Sequence, residues 1–271
     1  GPVCRDLDAG PGPGGERSGV GGSAGTATSR RERQRQATLT EIVEAARGLL
    51  AEPGGLSLRA VAQRVGMTAP ALYRYVASYQ DLVEVLAHAI DEETADMLRA
   101  ARDSQPADDP AAQIICAAVA FRRWALTHRE EFGVVFANPL ARPTETQEEM
   151  RDHQVGMFFN DLLLDLWRTY DFPVPAVEEL DPAVVATLSD PVAPVRVEDI
   201  PPEAAGLLWV LTRSWLAFYG TVTLEVFGHC DPRIIGSGAL FRDMLAQQAE
   251  LLGIAHELPR LQPQIEAWLA E

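Results

Sequence analysis

Three groups of residues bring reactive side chains close together along this chain. His229, Cys230 and Asp231 are adjacent and hold a base, a thiol and a carboxylate, the parts of a nucleophilic triad. Consecutive residues do not converge on one substrate atom as a triad must, so capping of a helix end suits them better. Glu149 and His153 stand four apart, as two metal ligands on one helical face would, but no second pair completes a coordination shell. Asp161 and Asp165 share that spacing and either favour a cationic ligand or form a solvated helix face. Cys4, Cys116 and Cys230 show neither metal spacing nor an even disulfide framework; the last two sit in apolar helical contexts, where a buried thiol is the expected role. The Gly-rich N-terminus lacks the strand-to-helix setting of a phosphate cradle. The sequence therefore points away from catalysis, metals and cofactors.

A different chemistry emerges from residues 57–82. Ser57 is a good N-cap, and Leu58, Val61, Ala62 and Val65 follow it with the spacing of one buried helical stripe. Gly66 stands where the chain must turn sharply. Thr68 can cap a second helix with Pro70 in its first turn and Leu72 and Val76 as its inward pair. Ser78 and Asp81 resemble a capping box that opens a third. Upstream, Arg30, Arg31, Arg33 and Arg35 form a basic arm ahead of a helix expected over 35–51, which ends at Pro53-Gly54-Gly55. This is a helix-turn-helix, whose second helix can enter a major groove while the first braces the backbone.

The stretch Val61-Ala62-x-x-x-Gly66-Met67-Thr68-x-x-Ala71-Leu72-Tyr73-x-Tyr75-Val76 carries a family likeness. Residues 35–90 resemble the N-terminal domain of the tetracycline-repressor-like (TetR) family of transcriptional regulators. Two positions depart from the family pattern. Tyr75 stands where relatives usually carry His, and Tyr79 where they usually carry Lys. A phenol offers a phosphate a neutral hydrogen bond in place of a cation. Trp215-Leu-Ala-Phe-Tyr219-Gly220 is similar to the Trp-x-x-x-His-Gly signature of one C-terminal subclass, with Tyr219 in place of His.

The resemblance implies roles for particular residues. Thr68, Ala69, Pro70, Ala71 and Arg74 are the positions the family presents to the groove. Arg74 is the one able to make a bidentate contact with a guanine. Ser57, Arg59, Tyr73, Tyr75 and Tyr79 suit phosphates, although Tyr73 also reads as a packing residue. The resemblance also implies a small-molecule pocket in the body, for which Phe121, Trp124, Phe136, Met157, Phe158, Asp161, Trp167 and Trp209 are candidates; aromatics at helical spacing also read as core.

The net charge of −16 is unevenly distributed. Residues 30–87 hold eight Arg against six carboxylates, whereas residues 88–271 hold thirteen against thirty. A mildly basic reader on an acidic body would favour one docking face toward phosphate, or the acidity simply aids solubility. Every basic side chain other than His is Arg. Residues 1–29 are Gly-rich and expected to be disordered, 30–85 form the reader, and 86–271 the body. A fourth helix over about 78–102 links the two. Further helices are expected near 110–130, 144–170, 203–228 and 232–252, with a Pro-rich span from Phe172 to Pro202 that holds a short helix near 181–188.

The helix near 203–228 is apolar around nearly its whole circumference, which suggests one face in the core and another against a second copy. Trp215, Tyr219, Val222, Val226, Leu240, Phe241 and Met244 are the expected contacts of that homodimer. The sequence has neither an eighteen-residue apolar run nor a signal-peptide pattern, so a soluble cytoplasmic protein without membrane contact is expected. The expected fold is all-α. The expected function is a homodimeric regulator, in all expectation a repressor, on a pseudo-palindromic double-stranded operator and released by a small-molecule effector. The alternative is a ligand-binding or protein-docking module of the same fold that has lost specific DNA recognition.

Overall fold

The computed structural model describes residues 29–139 and 144–270. Cys4, Pro143 and nearly all of the Gly-rich tail lie outside the described residues. Every regular element among those described is helical, as the all-α expectation requires.

Helix α1 (Arg30–Leu49) starts earlier than residue 35 because Ser29 caps it. The Ser29 Oγ accepts from the Glu32 N–H at 3.1 Å, and its carbonyl from the Arg33 N–H at 3.0 Å. Arg30, Arg31, Arg33 and Arg35 thus lie on exposed helical turns and not on an extended arm. Helices α2 (Leu58–Arg64) and α3 (Ala69–Leu72) flank Gly66, whose φ of +68° only Gly adopts without strain. Helix α4 (Tyr79–Asp103) is capped by Ser78, which accepts from the Asp81 N–H at 3.0 Å. The Asp81 carboxylate closes the box on the Ala77 N–H, one residue before the cap. Ile42, Ala46, Val61, Leu72 and Val76 join Leu82, Leu86 and Ile90 of α4 in a small apolar core.

A second, larger core begins at Ala95 and Leu98, farther along α4. It is built with α5 (Pro110–Thr127), α6 (Arg129–Phe136), α8 (Gln154–Tyr170), α10 (Leu207–Val226), α12 (Ala239–Leu251) and α13 (Leu258–Ala270). Between them lie three short helices, α7 (Gln147–Met150), α9 (Pro182–Leu188) and α11 (Pro232–Ser237). Helix α4 packs against α5, α6 and α8. Phe121 sits fully buried among Phe136, Phe159 and Phe218, with ring centroids 5.3–5.8 Å away.

Three expected helices are broken in the structure. Helix α5 stops at Thr127, where the Thr127 Oγ and the His128 ring bond back to carbonyls of its last turn and compete with the helix. The 144–170 segment divides at Arg151–His153 because α8 takes its cap from elsewhere. The buried Asp91 of α4 accepts from the Gln154 N–H at 2.6 Å and the Val155 N–H at 3.3 Å. The 232–252 segment divides at Gly238, with φ +66°. Helix α13 is absent from the sequence reading; Pro263 argues against a helix there, yet Leu261 and Ile265 are buried and hold it.

The Pro-rich span carries α9 near the expected place. Its far end is pinned to the body by Gln147, whose amide donates to the Ala193 and Val195 carbonyls and accepts from the Ala193 N–H. Asn160 donates to the Pro194 carbonyl at 2.9 Å. Pro194 lies so close to Gly156 that a Cβ there would sit 2.7 Å from its ring.

One ion pair is embedded in the larger core. Arg122 Nε donates to Glu225 at 2.6 Å, its Nη2 donates to the Ile235 carbonyl at 2.8 Å, and its guanidinium lies 5.4 Å from the Phe241 ring centre. Removing one partner of such a pair strands the other charge. Glu225→Ala should therefore cost about 3–5 kcal/mol, and the double variant Arg122→Met/Glu225→Leu distinctly less; urea unfolding of the three proteins checks the order.

Asp91 supplies a pH-dependent test. Burial pushes its carboxyl above the usual carboxylate range, against the pull of its two backbone N–H donors and of His153 and His88. The folded chain then holds that proton more readily than the unfolded one. Its contribution to stability is greatest at acid pH and falls as pH rises through the elevated native value. Asp91→Asn should remove this decline, so melting temperatures compared between about pH 4 and 7 should turn in the variant's favour as pH rises.

Candidate nucleic-acid interface and internal cavity

The helix-turn-helix presents a continuous exposed edge. Thr68, Ala69, Pro70 and Arg74 are exposed, and Ala71 is half-buried beside them. Leu72 and Val76 point inward at 1 % exposure and hold that edge outward. The α-helical part of the reader is shorter than expected, but backbone bonds continue it: Tyr73 N–H to Ala69, Tyr75 and Val76 N–H to Leu72.

Thr68 occupies the N-cap position with extended backbone, yet its hydroxyl makes no capping bond. Pro70 has no N–H to offer, and the Ala71 N–H is taken by the Thr68 carbonyl at 2.9 Å. The hydroxyl is thereby left for an outside partner. Ser57 does cap α2, accepting from the Ala60 N–H at 3.2 Å, which leaves its own O–H to donate. Arg59 is exposed beside it. Tyr73 is 52 % and Tyr79 39 % exposed, whereas Tyr75 packs partly on the small core.

The reader is tied to the rest of its unit through α6. Arg47 of α1 bonds Glu93 of α4 at 2.7 Å and lies 3.7 Å from Glu131 of α6. Val134 and Val135 of α6 pack on the small core, while Phe132 of the same helix is buried in the large one. Trp124 touches both cores.

Of the candidate pocket residues, Met157, Phe158 and Asp161 border a cavity and the others do not. Phe121 is solid core, Trp124 and Phe136 pack around it, and Trp167 packs on the same core. Trp209 is half-buried and lines none of the cavities described below. Met157, Phe158 and Asp161 border a polar cavity of about 210 Å³ with Arg99, Arg102 and Arg196. Asp161 is paired with Arg196 at 2.7 Å and Asp165 with Arg168 at 3.0 Å, so neither carboxylate waits for a cation.

An apolar cavity lies one helical register away, between α5, α8, α10 and α12. Phe159, Ser214, Trp215, Met244 and Gln248 are among its walls, and its volume is about 70 Å³. A wider chamber of about 360 Å³ abuts it, sharing Asn160 and Trp215 and closed on one side by residues 192–195. The sequence held a signal for this. Ser214 interrupts the buried stripe Leu211–Phe218–Val222, and Gln248 interrupts Phe241–Met244–Leu252. A polar residue in an apolar stripe marks where a helix faces something other than hydrocarbon.

The expected dimer contacts divide. Val222, Val226, Phe241 and Met244 are buried in the chain's own core, which corrects their assignment to an interface. Trp215 and Tyr219 are half-buried and stacked on each other, centroids 5.7 Å apart, with the Tyr219 hydroxyl donating to the Phe136 carbonyl. Leu240 is also half-buried. An all-round apolar helix does not reveal which face is inward, and the outward one carries Leu216, Leu224 and Phe227, with Ile234 beyond it.

Of the reactive clusters, Asp231 caps α11 through the Arg233 N–H at 2.9 Å, as expected of a helix-end residue. Glu149 closes a capping box with Thr146, and His153 meets the Thr144 hydroxyl at 3.2 Å. Cys116 is buried and Cys230 partly so. Among the described residues no cluster of His, Cys, Asp or Glu could hold a metal ion, and no helix is long and apolar enough to cross a membrane.

Comparison with known proteins agrees with this geometry. Residues 114–248 match the family described as tetracyclin repressor-like, C-terminal domain. The HTH-type transcriptional regulators Rv1816 of Mycobacterium tuberculosis and Mb1846 of Mycobacterium bovis are each 29% identical over 199 residues, 72% of this chain and 82% of theirs. The crystal structure of SCO4313, described as a regulatory protein, superposes with a TM-score of 0.56 at 26% identity, covering 81% of this chain and 98% of that one. With an exposed helix-turn-helix at one end and the matched helical body at the other, the chain belongs to the TetR family of DNA-binding transcriptional regulators.

Proposed function

We propose that the chain works as a homodimeric repressor that leaves a pseudo-palindromic operator when a small molecule enters the body. The observation that carries this reading is the exposed edge Thr68–Arg74, held outward by Leu72 and Val76 in a chain whose body is acidic. In such a dimer two readers meet major grooves about 34–36 Å apart. The acidic bodies disfavour any other approach to phosphate.

The outward face of α10 and α11 supplies the dimer contact in this reading. Leu216, Leu224 and Phe227 recur along one side of α10, and Gly220 between them leaves open space for a neighbouring helix. Such a patch is costly to leave in water and self-complementary about a two-fold axis. The route from ligand to reader runs through α6 and α4, which touch both cores. A ligand shifts the balance only by binding one arrangement more tightly than the other.

Arg74→Ala should lose sequence preference by about 1–3 kcal/mol while random-duplex affinity changes little. Titrations of specific and random duplexes at one salt concentration check this, and an equal loss on both would remove Arg74 from base reading. Leu216→Asp with Phe227→Asp should yield a monomer in sedimentation equilibrium with intact helicity, and operator affinity should fall with it. A dimer that persists would move the interface elsewhere.

A further inference from the structure

The cavity between α5, α8, α10 and α12 has an unusual chemical character. Its walls are apolar, with Ile114, Phe159, Phe218 and Met244 among them, and none of its lining residues is ionisable at neutral pH. Yet two of the residues that line it each carry a buried side-chain polar atom without a protein partner: the Ser214 Oγ and the Gln248 Oε1. Ser214 is only 5 % exposed. Buried polar groups are almost always satisfied, so two orphans on facing helices around one void mark a place where something else completes them.

Their chemistry defines that partner. A Gln carbonyl oxygen only accepts, so the partner must donate; a Ser hydroxyl both donates and accepts. A carboxylate has no proton to give and would enter without a counter-ion. An ammonium would donate but would bury a charge among hydrocarbon with no carboxylate in reach. A hydroxyl, which both donates and accepts, suits the chemistry of both atoms and carries no charge. The remaining contacts are with aliphatic and aromatic groups, which suit a hydrocarbon remainder. The adjoining chamber, which shares Asn160 and Trp215 as lining residues, has room for that remainder.

We propose that this cavity binds an uncharged, largely hydrocarbon molecule bearing a hydroxyl group, seated between Ser214 and Gln248. The assignment deepens the effector reading above and rests on it for the consequence at DNA. It replaces the cationic ligand that Asp161 and Asp165 suggested, since both are already paired.

The test uses the full chain and four probes of equal chain length: 1-octanol, octyl methyl ether, octanoate and octylamine, followed by calorimetry and by the fluorescence of the tryptophans, of which Trp215 forms a wall of both chambers. Octanol should bind, and the ether, which cannot donate, about tenfold or more weaker, with the ions weaker still. Gln248→Leu and Ser214→Ala should each weaken octanol binding about fivefold or more without lowering the melting temperature, because each removes an orphaned group instead of creating one. Octanoate or octylamine binding as tightly as octanol overturns the proposal. So does octanol binding unchanged in both variants, or wild-type protein that binds operator but none of the probes. An operator titration in parallel separates the two readings: octanol that binds through Ser214 and Gln248 yet leaves operator affinity unaltered supports the site and sinks its role as effector.

Discussion

One unbroken helix must satisfy two hydrophobic cores at once. The first half of α4 gives Leu82, Leu86 and Ile90 to the reader's core, and its second half gives Ala95 and Leu98 to the body's. Between them stand Asp91 and Glu93, the first capping α8 and the second holding Arg47 of α1. A rigid rod that is packed at both ends cannot tilt at one without moving the other. Regulation at a distance needs such an element, and α4 is continuous for 25 residues with no internal Pro or Gly to absorb the motion.

The joint is built from charge more than from hydrocarbon. Asp91 is buried and accepts two backbone N–H groups, so it is the N-terminal cap that α8 lacks in its own sequence. Arg47 has two guanidinium nitrogens with no hydrogen-bond partner and reaches toward carboxylates on α4 and α6. Apolar contacts tolerate small slides, whereas hydrogen bonds to an ionised group lose strength sharply once their geometry is lost. These contacts therefore give the joint a preferred setting.

The local signals in the sequence carried most of the reader. Ser57, Gly66, Pro70, Leu72, Val76 and Ser78 each act within a few residues of themselves, and the structure uses each as its chemistry suggests. Thr68 departs because Pro70 and the Thr68 carbonyl had already disposed of the donors its hydroxyl would have served. In the body the deciding partners are remote. The cap of α8 is sixty-three residues away, the Pro-rich wall is held by Gln147 across forty-six, and α13 is stabilised despite Pro263 by what it packs on. Aromatic periodicity located the core but missed the apolar cavity beside it, since a stripe of rings fills space and only an interruption such as Ser214 betrays a gap.

The contact between Gly156 and Pro194 has a wider implication. A hydrogen atom in place of a methyl group lets the 192–195 wall close down on α8. The breadth of the outer chamber is thus governed by a residue outside both cavity walls. Substitution of alanine there would hold the wall outward and admit bulkier guests without altering any surface they touch. Under the proposed function, a lineage could in this way change which molecules it senses while keeping its reader and its core intact.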